Sequence, residues 1–230
     1  AFTSPQGADK VVEIVGPAGA GKTTLCQALS HGNESIHLGN FPDVRKNSAA
    51  PFFAWNGLQI LPTFLNLFLG NSRKLTRREF AWLSILNGSP GVLRKELKKN
   101  NSVIILDQGP VYLLTEASEF GPEYLKRQQA ESFWRDLYSR WADTLDMIIW
   151  LDAADADLLK RIRNRDKEHV VKNESEDTAF EFLACYRKAY ERTISILSAN
   201  HPDLKILRFD TSRKSLEEIA RQLLFEFGPT

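Results

Sequence analysis

One stretch constrains this chain more than any other: Gly16, Pro17, Ala18, Gly19, Ala20, Gly21, Lys22, Thr23 and Thr24. It satisfies the pattern G-x-x-x-x-G-K-[ST] at every required position. The setting fits as well. Lys10–Val15 before it reads as a short apolar strand, and Lys22 to Ser30 after it reads as a helix. Glycines let successive backbone N–H groups turn inward on an anion where a Cβ would obstruct them, and the positive end of the following helix adds to that field. The chemistry expected is binding of a nucleoside triphosphate, with Lys22 reaching the β- and γ-phosphates and Thr23 ligating Mg²⁺.

A chain of 230 residues suggests one domain and can bury a substantial core. Its 30 Lys+Arg nearly cancel its 29 Asp+Glu, so the overall charge calls for neither nucleic acid nor an anionic membrane as partner. The only cysteines, Cys26 and Cys185, show no metal spacing and form no disulfide framework. A reduced, cytoplasmic protein is the expectation. Residues 1–9 are expected to be a flexible start, without the basic and apolar regions of a signal peptide. Pro51 to Leu69 is the most apolar segment, but Asn56, Gln59, Pro62 and Asn66 interrupt it. It reads as a buried or pocket-covering helix kinked at Pro62, not as a membrane span.

Strand and helix patterns alternate along the chain, which predicts an α/β fold with a five-stranded parallel sheet and helices on both faces. Strands are expected at Lys10–Val15, Ser35–Leu38, Ser102–Asp107, Asp146–Leu151 and Leu204–Phe209. A helical block spans 51–100, with breaks near Gly70 to Ser72 and Gly88 to Pro90. Helical pattern resumes from Val111 to Trp141 with a break near Gly121-Pro122, then at Asp155 to Arg165, Thr178 to Asn200 and Ser215 to Phe227. Ligands of such a sheet lie beyond the carboxyl ends of its strands.

Three further groups bear chemistry. Asp107 ends an apolar strand, where it can hold a Mg²⁺-bound water or accept a proton from an attacking hydroxyl. Arg161 and Arg165, four apart, share a helix face that dissolves into a polar stretch, which suits a lid over 160–177 closing on a triphosphate. Asp210-Thr-Ser-Arg213-Lys214 forms a turn at the same sheet edge as the phosphate loop and could border a nucleotide base. Ser212 or Ser215 there is placed to cap the last helix.

On these residues the chain resembles the thymidylate kinase and deoxynucleoside kinase branch of P-loop kinases. The resemblance rests on the Gly16–Thr23 loop, the strand ending in Asp107, and Leu159-Lys-Arg161-Ile-x-x-Arg165. Tyr186-Arg-Lys-Ala-Tyr190 with the closing Leu207-Arg-Phe-Asp210-Thr-Ser completes it. It implies a P-loop NTPase fold over 10–230, with 51–100 as a helical insertion over the acceptor site. It also implies ATP with Mg²⁺, a small-molecule acceptor, Arg161 and Arg165 acting from the lid, and Arg213 near adenine. The state of association stays open, a homodimer included.

Two departures point to a rebuilt acceptor side. Gln108 follows Asp107 where this branch carries arginine, and glutamine cannot replace a bidentate guanidinium. The acid expected after the second strand has only Asp43 as a counterpart, so Asp43 and Asp107 both stand as candidates for the base. Phe52, Phe53, Trp55, Phe80 and Trp82 could stack a ring, and Arg73, Lys74, Arg77 and Arg78 could hold an anion. Three readings follow: a nucleoside- or nucleotide-type kinase, a kinase of a non-nucleotide such as an antibiotic or sugar, and a nucleotide-dependent switch regulating a partner.

Overall fold

The computed structural model describes residues 9–31, 33–39, 41–43, 46–68, 76–100 and 102–228. Five strands form one sheet: β1 (Lys10–Val15), β2 (Ile36–Leu38), β3 (Val103–Asp107), β4 (Met147–Asp152) and β5 (Lys205–Asp210). Their order is β2-β3-β1-β4-β5, and every pairing is parallel. Parallel strands need crossovers, supplied here by α1 (Lys22–Ser30), α2 (Ala50–Phe68), α3 (Arg77–Asn100), α4 (Pro110–Glu119), α5 (Glu131–Ala142), α6 (Asp155–Asn164), α7 (Glu176–Asn200) and α8 (Leu216–Phe227).

The sheet is buried on both faces, which is why its strands read as unbroken apolar runs. Val12 and Ile14 of β1 face Leu25 and Leu29 of α1, Leu158 and Ile162 of α6, and Ile219 and Leu223 of α8. Val11 and Val15 face the opposite core, where α3, α4 and α5 contribute Leu83, Leu114 and Leu137. The long helix α7 serves both sides: Ala179 and Leu183 pack with the α1 side, and Tyr190, Ile194 and Leu197 with the other. Among the described residues no helix is long and apolar enough to cross a membrane.

The strands fall within one residue of their expected bounds. The break near Gly70 to Ser72 lies outside the described residues, as does the expected flexible start apart from Asp9. The expected break at Gly88 to Pro90 is absent: α3 runs through it. Pro90 offers no N–H to the carbonyl of Leu86, a loss that normally breaks a helix. Here α5 makes up for it. The indole of Trp141, fully buried, donates to Leu86 O at 2.9 Å, and Arg140 donates to Asn87 O at 3.0 Å and to Asn87 Oδ1 at 2.9 Å. Gly88 lets α2 approach, since a Cβ there would lie 2.4 Å from Asn56 Nδ2. Asn87 closes the seam by donating to Asn56 Oδ1 and Gln59 Oε1. Tertiary donors thus override the local sequence signal.

The same geometry limits how far α2 can cover a site. Phe53 and Ile60 are buried, whereas Trp55 and Leu58 are more than 60% exposed (64% and 63%), so one face of this helix looks outward.

Trp141→Phe is expected to cost about 1–3 kcal/mol for the orphaned Leu86 carbonyl, over and above lost packing. Urea unfolding should show that cost shrinking in a Pro90→Ala background, where a backbone N–H returns to Leu86. An equal cost in both backgrounds would contradict this account of α3.

Candidate active site

β1 ends at Val15, and the chain turns through Gly16, Gly19 and Gly21, all at positive φ. Two of these glycines are enforced by contact. A Cβ at Gly16 would lie 2.0 Å from Leu151 O at the end of β4, and one at Gly19 would lie 2.7 Å from Leu158 O in α6. The loop is therefore pressed between the β4 end and α6, where only glycine fits. The following helix α1 has no side-chain cap and no acid in its first turn. No residue of the helix itself neutralises its positive end at the loop.

Lys22 curls back over the loop, donating to Gly16 O at 2.7 Å and Pro17 O at 2.9 Å. Loss of solvent pushes its ammonium down to about 8, against the pull of Asp107. Thr23 Oγ1 donates to Asp107 Oδ2 at 2.7 Å. The register explains the meeting: β3 lies beside β1, and Asp107 pairs with Ile14 just before the loop. Asp107 Oδ1 is buried and has no hydrogen-bond partner among the described residues. A hard divalent cation takes oxygen ligands. The Thr23 hydroxyl beside an orphaned carboxylate oxygen is a donor set that fits Mg²⁺.

The arginines divide. Arg161 donates to Gly19 O at 3.3 Å, to Thr211 Oγ1 at 2.8 Å and to Thr211 O at 2.9 Å. It ties the phosphate loop to the turn between β5 and α8. Arg165, just past α6, lines the cleft, and its Nε is buried with no hydrogen-bond partner among the described residues. The segment from Arg165 to Ser175 is held by Lys172, which donates to Arg165 O at 2.6 Å, and by the buried Val171. Arg213 is 87% exposed and pairs with Asp210 at 3.3 Å, while Thr211, Lys214, Ser215 and Leu216 line the cleft beside it. Ser215 caps α8 in a capping box with Glu218. Asp43 is exposed and is not among the residues lining the cleft. Of the two carboxylates weighed for the base, the structure brings only Asp107 to the phosphate loop.

The cleft has a volume of about 720 Å³. Its wall away from the loop differs from the expected one. Among the described residues of 51–100 only Arg78 lines it, lying over the Trp82 ring at 4.4 Å. Phe53 is core, Trp55 faces outward, and Arg73 and Lys74 lie outside the described residues. The aromatic wall comes instead from Tyr112 of α4 and from Phe182, Tyr186 and Tyr190 of α7. Tyr186 stacks on Phe120 with centroids 4.5 Å apart, and its hydroxyl donates to Glu116 Oε1 at 2.8 Å. The signal was legible: the three α7 aromatics recur every four residues, hence on one helix face. Gln108 also lines the cleft, with φ at 59°, a left-handed backbone uncommon outside glycine.

Two supports of this wall carried weaker sequence signals. Arg187 of α7 forks onto Asp152 and Asp155 and donates to Ala153 O at 3.0 Å, which locks α7 to the end of β4. Glu13, fully buried in β1, accepts from Val111 N at 2.7 Å and Tyr112 N at 3.1 Å, capping α4 from the adjacent strand. A lone acid in a β-branched run was its only mark.

No protein-family profile matches this sequence, and no curated protein matches it. Solved structures do resemble its fold. Thymidylate kinase from Candida albicans superposes with a TM-score of 0.53 at 19% identity, over 94% of this chain and 90% of that one. Deoxyadenosine kinase from M. mycoides, solved with bound dATP, gives 0.50 at 15% identity, over 95% and 99%. The chain thus has the α/β P-loop kinase fold of thymidylate and deoxynucleoside kinases.

Burial pushes the Glu13 carboxyl up to about 8, against the N–H groups of Val111, Tyr112 and Gly109. A carboxyl raised on folding holds its proton longer in the folded than in the unfolded chain. Its contribution is complete below the unfolded value and is lost as pH rises through about 8. Thermal melts from about pH 5 to about pH 8 should therefore show Glu13→Gln, an isostere of the protonated acid, gaining on the wild type as pH rises. A constant gap would contradict the burial argument.

Proposed function

We propose that the protein is an ATP-dependent phosphotransferase that moves the γ-phosphoryl group to a small, nucleoside- or nucleotide-like acceptor. The observation that carries this reading is the convergence of Lys22, the Thr23–Asp107 pair and Arg165 on one glycine-built loop. Loop N–H groups from Gly16 to Thr24 and the start of α1 hold the β- and γ-phosphates. Lys22 leaves the Gly16 and Pro17 carbonyls for phosphate oxygens. Thr23 and Asp107 would hold Mg²⁺, which would supply positive charge to neutralise those oxygens. Arg165 reaches the transferring group from the lid over 160–177, and Arg161 fixes the loop against Thr211. Thr211, Lys214 and Leu216 border the adenine, with Arg213 flanking them.

In the transfer an acceptor oxygen bonds to the γ-phosphorus and the bond to the bridging oxygen breaks, releasing ADP. The acceptor's proton passes to Asp107, directly or through water. Tyr112, Phe182, Tyr186 and Tyr190 offer flat faces that suit a base. One observation favours a second reading. Gln108, in strained backbone where the kinases resembled carry arginine, favours an acceptor without a phosphate at that point, including a non-nucleotide such as an antibiotic or sugar.

ADP release from ATP–Mg²⁺ in the presence of nucleosides, nucleoside monophosphates, aminoglycosides and sugars separates these readings. We expect stimulation by one class and at least a hundredfold loss of turnover, on the order of 3 kcal/mol, in a folded Lys22→Ala variant. Unchanged turnover in that variant would remove the phosphate loop from the chemistry.

A further inference from the structure

The cleft is strongly basic beside the phosphate loop. Lys22, Arg78, Arg161, Arg165, Lys167 and Lys214 line it, and among the described residues Glu168 is the one acid in that lining, with Asp107 behind the loop on Thr23. A seventh nitrogen base stands among them. His169, half-buried between α6 and α7, lines the same cleft and sets its ring edge on Phe182 of α7, with centroids 5.6 Å apart and planes at 88°. Val171 N donates to His169 Nδ1 at 3.4 Å. With Nδ1 accepting, Nε2 carries the hydrogen of the neutral ring. Nothing in the site described above uses that donor.

We propose that His169 is a phosphate-binding residue of this cleft, donating Nε2–H to a nucleotide phosphate and, when the polyanion binds, taking up a proton at Nδ1 in place of the long Val171 N–H contact. The proposal rests on the nucleotide reading of the phosphate loop.

The charges around His169 give the sign. Lys22 of α1, Arg165 past α6, and Lys167 on its own segment are cations, Glu168 beside it is an acid that does not offset them, and α7 contributes the uncharged Phe182. Burial and then those three cations hold the imidazole below its ordinary value in the free protein. Phosphate oxygens between these groups reverse the local field and raise it. A group raised by binding strengthens binding fully below its free value, and the effect is lost as pH rises through the bound value. His169 is thus the residue that makes nucleotide capture tighter on the acid side of neutrality.

The test is calorimetry of the whole chain with the Mg²⁺ complex of a non-hydrolysable ATP analogue, at about pH 6 and about pH 8, in buffers of unlike ionisation enthalpy. His169→Gln keeps a neutral donor, and His169→Phe keeps the edge contact with Phe182. Near pH 6 the wild type should bind about tenfold tighter than His169→Gln, and tighter still than His169→Phe. It should also take up more protons than either variant. Near pH 8 the wild type and His169→Gln should converge, with His169→Phe still weaker. Equal affinity and equal proton uptake in all three would overturn the proposal. If Lys22→Ala still abolishes binding in that case, the phosphate-loop reading stands alone. A wild type that binds no analogue at either pH would overturn both.

Discussion

At Gly16 a Cβ would meet the Leu151 carbonyl at 2.0 Å, so the phosphate loop can lie only where glycine lets it, against the end of β4. Everything else in the site is referred to that contact. The loop so placed starts α1 with its N-terminus open, brings Thr23 to Asp107 at the end of β3, and leaves Gly19 O for Arg161. Arg161 in turn fixes Thr211, whose N–H donates to Asp152 O at 2.7 Å, and so the β5–α8 turn. One steric requirement on β1 thus sets the relative positions of three strand ends.

The strand ends and the loop were legible because both are written locally. Apolar β-branched runs ending in Asp107 or Asp152 specify buried parallel strands. The G-x-x-x-x-G-K-T spacing specifies the turn. The course of α3 was not legible. Gly88-Ser-Pro90-Gly91 is a helix breaker by itself, and donors from α5, far along the chain, keep the helix intact: the indole of Trp141 and the guanidinium of Arg140. Which aromatic residues line the cleft was not legible for a related reason. Pro51 to Leu69 is the most apolar segment of the chain and rich in aromatic residues, but that richness does not say which face they occupy. Phe53 went to the core and Trp55 to the surface, while Phe182, Tyr186 and Tyr190 reached the cleft.

The two halves of the site are built on different physics. The phosphate side depends on backbone, glycines and fixed cations, and it tolerates little change. The aromatic side depends on α4 and α7, held by two polar devices: the buried Glu13 carboxyl under the first turn of α4, and the half-buried Arg187 forked across Asp152 and Asp155. Glu13 also explains the tight turn before α4, since a Cβ at Gly109 would lie 2.8 Å from its Cδ. That turn places Gln108 in left-handed backbone at the cleft. A wall carried by helices can be retailored residue by residue while the loop stays fixed, which is how one fold hosts many acceptors.

A cleft that transfers a phosphoryl group must be told from one that hydrolyses a nucleotide to switch a partner. Phosphorus NMR of a reaction holding ATP, Mg²⁺ and a stimulating acceptor follows that group directly. Transfer predicts that γ-phosphate signal is replaced by a phosphate ester or anhydride of the acceptor, in step with ADP and lost in Asp107→Asn. Inorganic phosphate appearing in step with ADP, with no new phosphorylated acceptor, would contradict it.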